Sequence, residues 1–221
     1  MKKGLTELVF IMDRSGSMGG LENDTIGGFN SVLDKQKKEE GEANVTTVLF
    51  DDQIETIHER FSIGIVEPIT AEDYFVRGST ALLDAVGSTV KKVENIQKRL
   101  PEEMRAEKVI VVITTDGCEN ASREYSSKMV KRMIEKNQKN GWEFLFMGAN
   151  MDAVKEAGRM GIKSSHAVSY KNDEKGVSLN YQAVGGVLSC MRSADYSESE
   201  MDEIIIPEFL KPIRAHLKED E

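Results

Sequence analysis

The sequence predicts an α/β fold, in which helices cover both faces of a doubly wound, mostly parallel central sheet with one antiparallel edge strand. Two apolar runs, residues 8–12 and 109–113, have the length and composition of strands that are buried on both faces. Helical patterns alternate with such runs along the chain, as they do in parallel sheets. At 221 residues the chain suits one sizeable domain, or one domain plus an appendage, rather than two full domains.

Three strands are predicted in the first half of the chain, at residues 8–12, 45–50 and 53–61. The last two meet at Asp51-Asp52, which predicts a hairpin and hence the antiparallel edge. Between the first two strands, apolar residues recur at the spacing of a helical face: Leu21, Ile26, Phe29, Val32 and Leu33. A loop at residues 62–76 leads to a second amphipathic helix, which begins near Leu83 and stops before Pro101.

Three more strands are predicted in the second half, at residues 109–115, 142–147 and 166–169. One helix follows Ser122, and a shorter helix, capped by Asn150 or Asp152, runs through Met160. This alternation of strands and helices completes the predicted parallel sheet.

Beyond residue 170 the pattern changes to a helix over residues 179–191, despite Gly185-Gly186, and then to an acidic, serine-rich stretch. An apolar patch at residues 204–210 follows, which we expect to pack back on the domain, with docking on another protein as the alternative. We therefore expect a domain at residues 1–170. Residues 171–221 would form a helical extension with an acidic tail, packed on the domain or continuous with it.

Charge and cysteine content restrict the classes of partner and the compartment. A formal net charge of -9 and a sequence pI near 5.1 argue against nucleic acid, which binds clustered Lys and Arg. Neither a signal peptide nor an apolar run of the roughly 20 residues that a membrane span needs is evident. Cys118 and Cys190 suggest neither a disulfide framework nor a zinc site. We expect a cytoplasmic protein that binds proteins or cations, with no nucleic-acid or membrane partner.

A cluster of oxygen-bearing side chains follows the first strand. Asp13, Ser15 and Ser17 stand at its carboxyl end, where ligands of open α/β sheets bind. These side chains are hard oxygen donors, which suit Mg²⁺ and are poor ligands for soft metals. Because Asp, Ser and Gly also form turns and helix caps, this segment alone fits a site and a simple turn equally well.

Two later segments favour a site. Arg77-Gly78-Ser79-Thr80 opens the second helix, and the strand at residues 109–115 is followed by Asp116-Gly117. Taken singly, Thr80 or Ser79 could cap a helix and Asp116-Gly117 could form a tight turn. Asp84, in the first turn of the second helix, would serve the helix dipole, with an outer-sphere role at the metal as the alternative.

Together, the five residues resemble the metal-ion-dependent adhesion site (MIDAS) of von Willebrand factor A domains: Asp13, Ser15, Ser17, Thr80 and Asp116. The resemblance covers roughly residues 5–170 and points to an intracellular, prokaryotic type of this family. It implies that the three hydroxyls bind the metal while the two carboxylates lie beside it, bound directly or through water. It also implies a mostly parallel sheet with helices on both faces, and metal-assisted binding of a protein rather than catalysis.

The charges of these residues explain why they would hold a cation. Two carboxylates about 4 Å apart repel by about 4 kcal/mol at an effective dielectric near 20, and a divalent ion reverses that interaction. The hydroxyls add no charge, so bound Mg²⁺ would still attract a further anion. We expect water, or an Asp or Glu of a protein partner, to fill the open position, and Mn²⁺ accepts the same ligands.

Two other functions compete with this hypothesis. A Mg²⁺-dependent phosphohydrolase or phosphotransferase would also place a metal at strand ends, but the sequence has no phosphate-binding loop and no evident general base. A scaffold subunit of an intracellular assembly would instead dock through the acidic tail and its apolar patch.

Overall fold

The computed structural model describes residues 1–193 and 196–219 and contains one six-stranded sheet. Its strands are β1 (Lys2–Asp13), β2 (Glu42–Phe50), β3 (Ile54–Ser62), β4 (Ala106–Thr115), β5 (Trp142–Ala149) and β6 (Ala167–Tyr170). The spatial order is β3-β2-β1-β4-β5-β6. All neighbours are parallel except β2 and β3, which form the antiparallel edge. The predicted fold class is confirmed.

Seven α-helices lie in the described part of the chain: α1 (Glu22–Gln36), α2 (Leu82–Arg99), α3 (Ser127–Gln138), α4 (Ala153–Arg159), α5 (Glu174–Ser193), α6 (Glu198–Glu200) and α7 (Ile206–Leu217). A π-helical turn, Met201–Ile205, joins α6 to α7. Asp152, rather than Asn150, caps α4, because its side chain accepts a hydrogen bond from the backbone N–H of Lys155. Within the described residues, none of the helices is both long and apolar enough for a membrane span.

Strand β1 lies in the middle of the sheet and faces a core on each side. Leu8 and Phe10 point into the core that contains α1, α5 and α7. Val9 and Ile11 point into the opposite core, which contains α2, α3 and α4. Successive side chains of a strand alternate between faces, so an unbroken apolar run is what a strand covered on both sides requires.

The segment after β6 contributes to the first of these cores. Ile206, Leu210 and Ile213 of α7 are buried there, whereas Ile204 is 55% exposed. Most of the apolar patch at residues 204–210 therefore lies against the domain. The division of the chain at residue 170 stays a prediction. Residues 194, 195, 220 and 221 of the predicted extension lie outside the described residues.

The register of the sheet positions the predicted site. Met12 of β1 pairs with Thr114 of β4, and the two strands are parallel. Their carboxyl ends therefore meet at one edge of the sheet, which brings Asp13 and Asp116 to the same rim.

Candidate metal centre

Three hydroxyls from two distant segments converge at this rim. The Ser15 and Ser17 hydroxyl oxygens lie 3.1 Å apart, and the Thr80 hydroxyl donates to Ser15 Oγ at 3.0 Å. Ser17 also donates to Asp116 Oδ1. Ser15 and Thr80 are buried, whereas Ser17 is exposed, so the cluster is open to solvent on the Ser17 side.

The carboxylate of Asp13 is buried next to Ser15, with 1% exposure. Its Oδ1 accepts the backbone N–H of Ser15 at 2.7 Å, and its Oδ2 accepts the Thr115 hydroxyl at 2.5 Å. Burial raises the pKa of Asp13, although these hydrogen bonds oppose the rise. The Tyr74 hydroxyl donates to the Asp13 backbone carbonyl at 2.6 Å and so holds the end of β1 in place.

Asp116 is the second carboxylate of the rim and is 8% exposed. Burial raises its pKa from 3.8 to about 6; the Ser17 hydrogen bond opposes this rise, and the Asp13 carboxylate adds to it. No group of three or more His, Cys, Asp or Glu side chains suited to a metal occurs in residues 1–193 and 196–219. A cation at this rim would therefore need the hydroxyls as ligands.

Backbone contacts deliver Thr80 to the cluster. Its N–H donates to the Asn120 side-chain oxygen at 2.9 Å, and the carbonyl of Gly78 accepts from the Gly16 N–H at 3.2 Å. Gly117 permits the close approach of β4, because a Cβ at that position would lie 2.6 Å from Thr80 Oγ1 and 3.3 Å from Ser17 Oγ. The turn after β4 is therefore fitted around the hydroxyls.

The structure brings all five predicted residues together. It also places Asn172, which the sequence interpretation missed, against the same rim: its Nδ2 donates to Asp116 Oδ2 at 3.0 Å and to the Ser17 backbone carbonyl at 3.3 Å. The available signal was its position two residues after the end of β6, at the same edge of the sheet.

Asp84 lies in the first turn of α2, as predicted, and it also binds the loop after β4. Its carboxylate accepts the backbone N–H groups of Arg123, Glu124 and Tyr125 at 2.7 to 2.9 Å. It therefore fixes the loop between β4 and α3 to the start of α2.

Two arginines flank the rim, but their charges are used within the protein. Arg14 is fully buried and donates to Asp51 Oδ2 at 3.0 Å and to Glu55 Oε2 at 2.7 Å. Arg77 donates to the same Asp51 oxygen at 2.6 Å. Both guanidinium groups lie 5.4 Å from the centre of the Phe75 ring. Neither arginine is therefore available to neutralise the carboxylates of the rim.

No family model matches the sequence, and the comparison with curated proteins finds no match. Solved structures do match. Proximal thread matrix protein 1 from the mussel byssus, with a zinc-occupied MIDAS motif, superposes with a TM-score of 0.56 at 18% identity, over 84% of this chain and 46% of that chain. Manganese-loaded TRAP protein of Plasmodium vivax superposes with a TM-score of 0.55 at 16% identity, over 81% of this chain and 73% of that chain. A von Willebrand factor type A structure from Catenulispora acidiphila superposes with a TM-score of 0.54 at 14% identity, over 81% of this chain and 42% of that chain.

The chain has the von Willebrand factor A fold. The resemblance predicted from the sequence is thereby confirmed at the level of the fold. The chain spans less than half the length of the mussel protein. The bound zinc and manganese belong to the mussel and Plasmodium proteins. At the carboxyl-end rim of its sheet, this chain carries the five oxygen-bearing residues described above.

Proposed function

We propose that this chain is a divalent-metal-binding, protein-interaction module. The observation that carries the proposal is the convergence of three hydroxyls and two carboxylates at one strand edge: Asp13, Ser15, Ser17, Thr80 and Asp116. In this proposal Mg²⁺, or Mn²⁺, binds there and an Asp or Glu of a protein partner completes its coordination. The module is not an enzyme.

The spacing of the hydroxyl oxygens fits a small octahedral cation. Neighbouring oxygens around Mg²⁺ lie roughly 3.0 Å apart when each metal–oxygen distance is about 2.1 Å, and roughly 3.4 Å apart at the longer distances of Ca²⁺. The observed separations at Ser15 are 3.1 and 3.0 Å. These separations also allow the hydroxyls to hydrogen-bond to one another. Since every donor is a hard oxygen, the set favours Mg²⁺ or Mn²⁺ over Zn²⁺.

The charge of the rim supports recognition of an anion. Two carboxylates formally neutralise one divalent cation, and the neutral hydroxyls leave it able to attract a further negative ligand. Because Ser17 is exposed, a partner can approach from its side. A carboxylate is the protein side chain that supplies an anionic oxygen.

The surrounding groups favour binding over phosphoryl transfer. Each of the three histidines has hydrogen-bond partners outside the rim. His58 contacts Thr47, His166 contacts Phe144 and Asp202, and His216 contacts Asp173 and Glu219. Arg14 and Arg77 are paired with acidic side chains. A phosphoryl-transfer site needs a base near the nucleophile and cations facing the phosphate. The scaffold hypothesis is also less favoured. Ile206 and Leu210 are buried against the domain, which leaves little apolar surface in the tail for docking on another protein.

The compartment belongs to the same proposal. Both cysteines are free, Cys118 on the surface and Cys190 half-buried. Free thiols suit the reducing cytoplasm that the sequence predicts.

Metal binding is tested by isothermal titration of Mg²⁺, Mn²⁺ and Ca²⁺ into the chelator-treated protein. We expect Mg²⁺ and Mn²⁺ to bind and Asp13→Ala to abolish the signal. Absence of binding by the unmodified chain would refute the metal site.

Recognition of a carboxylate is tested by selecting displayed peptides in Mg²⁺. Selected peptides should need one Asp or Glu, lose binding when it becomes Asn or Gln, and release in EDTA; peptides without an acidic residue would contradict the proposed mode.

A further inference from the structure

Asn172 lies between the metal rim and the start of α5. Its Nδ2 donates to Asp116 Oδ2 and to the backbone carbonyl of Ser17, at 3.0 and 3.3 Å. One amide thus contacts two of the segments that carry predicted ligands, although it is 56 residues from Asp116 in the sequence and 155 from Ser17.

The other end of the amide is unsatisfied. Asn172 Oδ1 is buried and has no hydrogen-bond partner among the described residues. The orientation of the amide is determined by its neighbours, because both atoms near Nδ2 are acceptors and would repel a carbonyl oxygen. A buried acceptor without a donor is costly, and in native proteins such atoms are usually satisfied by water, an ion or a ligand.

The loop that carries Asn172 is held firmly. Asp173 Oδ1 accepts the Gly176 N–H at 2.6 Å, and the two Asp173 oxygens lie 3.0 and 3.1 Å from His216 Nε2 in α7. Gly176 allows the loop to close tightly, since a Cβ there would lie 2.1 Å from the Lys171 carbonyl oxygen. The unsatisfied oxygen is therefore positioned by packing rather than by a freely moving side chain.

We propose that Asn172 is a sixth residue of the metal site, an inference that rests on the proposed function. Its Nδ2 holds the Asp116 carboxylate in place, and its Oδ1 serves the cation directly or through water. An amide oxygen belongs to the hard donors that Mg²⁺ accepts, and it adds no charge. Through this residue the loop between β6 and α5 becomes part of the metal site.

The test compares Mg²⁺ affinity by isothermal titration for the full chain and for Asn172→Ala and Asn172→Asp. Removing a partner that orients metal ligands typically weakens metal binding about 10–100-fold, and we expect this loss for Asn172→Ala. Asn172→Asp keeps a hard oxygen for the cation but loses the Nδ2 donor that faces Asp116, so it should bind Mg²⁺ more tightly than Asn172→Ala. This rescue separates a ligand role from a purely structural one.

Asp173→Ala is the matched control, because it loosens the same loop without touching Asp116. Since it loosens the loop that positions the Asn172 amide but leaves the amide in place, it should weaken Mg²⁺ binding less than Asn172→Ala does, while hydrogen exchange at residues 171–176 becomes faster. Mg²⁺ binding by the unmodified chain with equal affinity in Asn172→Ala would overturn this inference and leave the proposed function standing. An Asn172→Asp variant that binds more weakly than Asn172→Ala would overturn the role of Oδ1. No Mg²⁺ binding by the unmodified chain would overturn both proposals.

Discussion

Replacing Asp116 by Asn removes one of the two carboxylates and tests the electrostatic reasoning directly. The pKa of Asp116 is raised from 3.8 to about 6, chiefly by burial. The folded state thus binds this proton more tightly than the unfolded state does. Ionised Asp116 therefore destabilises the metal-free fold above its folded pKa, and this penalty disappears below its unfolded pKa. A shift of roughly two pH units corresponds to about 3 kcal/mol.

Asp116→Asn removes this destabilisation of the metal-free protein, but the variant loses part of the resulting stability. Asparagine can still accept the Ser17 hydroxyl, but its NH₂ would face the NH₂ of Asn172, at a cost of about 1 kcal/mol. In EDTA at about pH 7.5 we expect Asp116→Asn to be the more stable protein by about 2 kcal/mol, which raises Tm by about 4–8 °C.

Mg²⁺ should reverse this order. At a thousand times its dissociation constant, a ligand that binds only the folded state adds about 4.1 kcal/mol. The unmodified chain receives this gain, whereas Asp116→Asn keeps little of it. Calorimetric unfolding scans should therefore give the higher Tm to Asp116→Asn in EDTA and to the unmodified chain in Mg²⁺.

Asp51→Asn is the matched control, at the end of the neighbouring strand β2. Burial raises the pKa of Asp51, but hydrogen bonds from Arg77, the Gln53 backbone and Arg14 outweigh it and hold the pKa below its ordinary value. Ionised Asp51 therefore stabilises the fold, and its removal should lower Tm in both buffers. If Asp116→Asn also lowers Tm in EDTA, or gains as much from Mg²⁺ as the unmodified chain, the reasoning is wrong.

Three further predictions concern the turn after β4, the pH dependence of Mg²⁺ binding and the packing of α7. Gly117→Ala should weaken Mg²⁺ binding measurably by titration, because its Cβ would lie 2.6 Å from Thr80 Oγ1. Mg²⁺ affinity should be constant above the Asp116 pKa of about 6 and fall about tenfold per pH unit below it, as protons compete for that carboxylate. Leu210→Ala should lower the free energy of unfolding by about 2–5 kcal/mol in urea titrations, since Leu210 is buried in the core.

Each of these has a control or a contrary result. Gly158 has open space around its Cβ position, so Gly158→Ala should leave Mg²⁺ affinity unchanged. A flat pH profile between about pH 5 and 8 would contradict a raised pKa at the rim. Ile204→Ala removes an exposed side chain and should change stability by less than about 0.5 kcal/mol. Equal effects of the Ile204 and Leu210 substitutions would show that α7 is not packed as described.

The sequence predicted those features that are encoded locally. Alternation of apolar runs with helical patterns is sufficient for the sheet and its helices, because burial on two faces leaves a continuous apolar strand. Asp13, Ser15 and Ser17 lie within five residues, so their pattern is visible without a structure. Thr80 and Asp116 could be added because they too stand at element ends. The sequence also predicted the apolar patch near Leu210 and favoured its packing on the domain, where Leu210 is buried.

Asn172 and the contacts of Asp84 were not predicted, and the reason is physical. Asn172 follows β6, and β5 separates that strand from β4, so only the path of the loop brings its amide back to Asp116. Asp84 stands in a first helical turn, where an acidic residue needs no other explanation than the helix dipole. Its three backbone partners depend on the conformation of a loop that has no periodic signal.

The distribution of charge around the rim argues that the site depends on an external cation. Arg14 follows Asp13 in the sequence, and the backbone N–H of Arg77 donates to the Arg14 carbonyl, yet both guanidinium groups donate to Asp51 rather than to a carboxylate of the rim. The groups that lower the pKa of Asp116 are hydrogen-bond donors, and they leave it well above its ordinary value. A fold selected for stability alone would have paired these carboxylates internally or replaced one of them, since a buried charge without a counter-charge is costly. Retaining both beside three hydroxyls is consistent with a site whose counter-charge is a bound divalent ion.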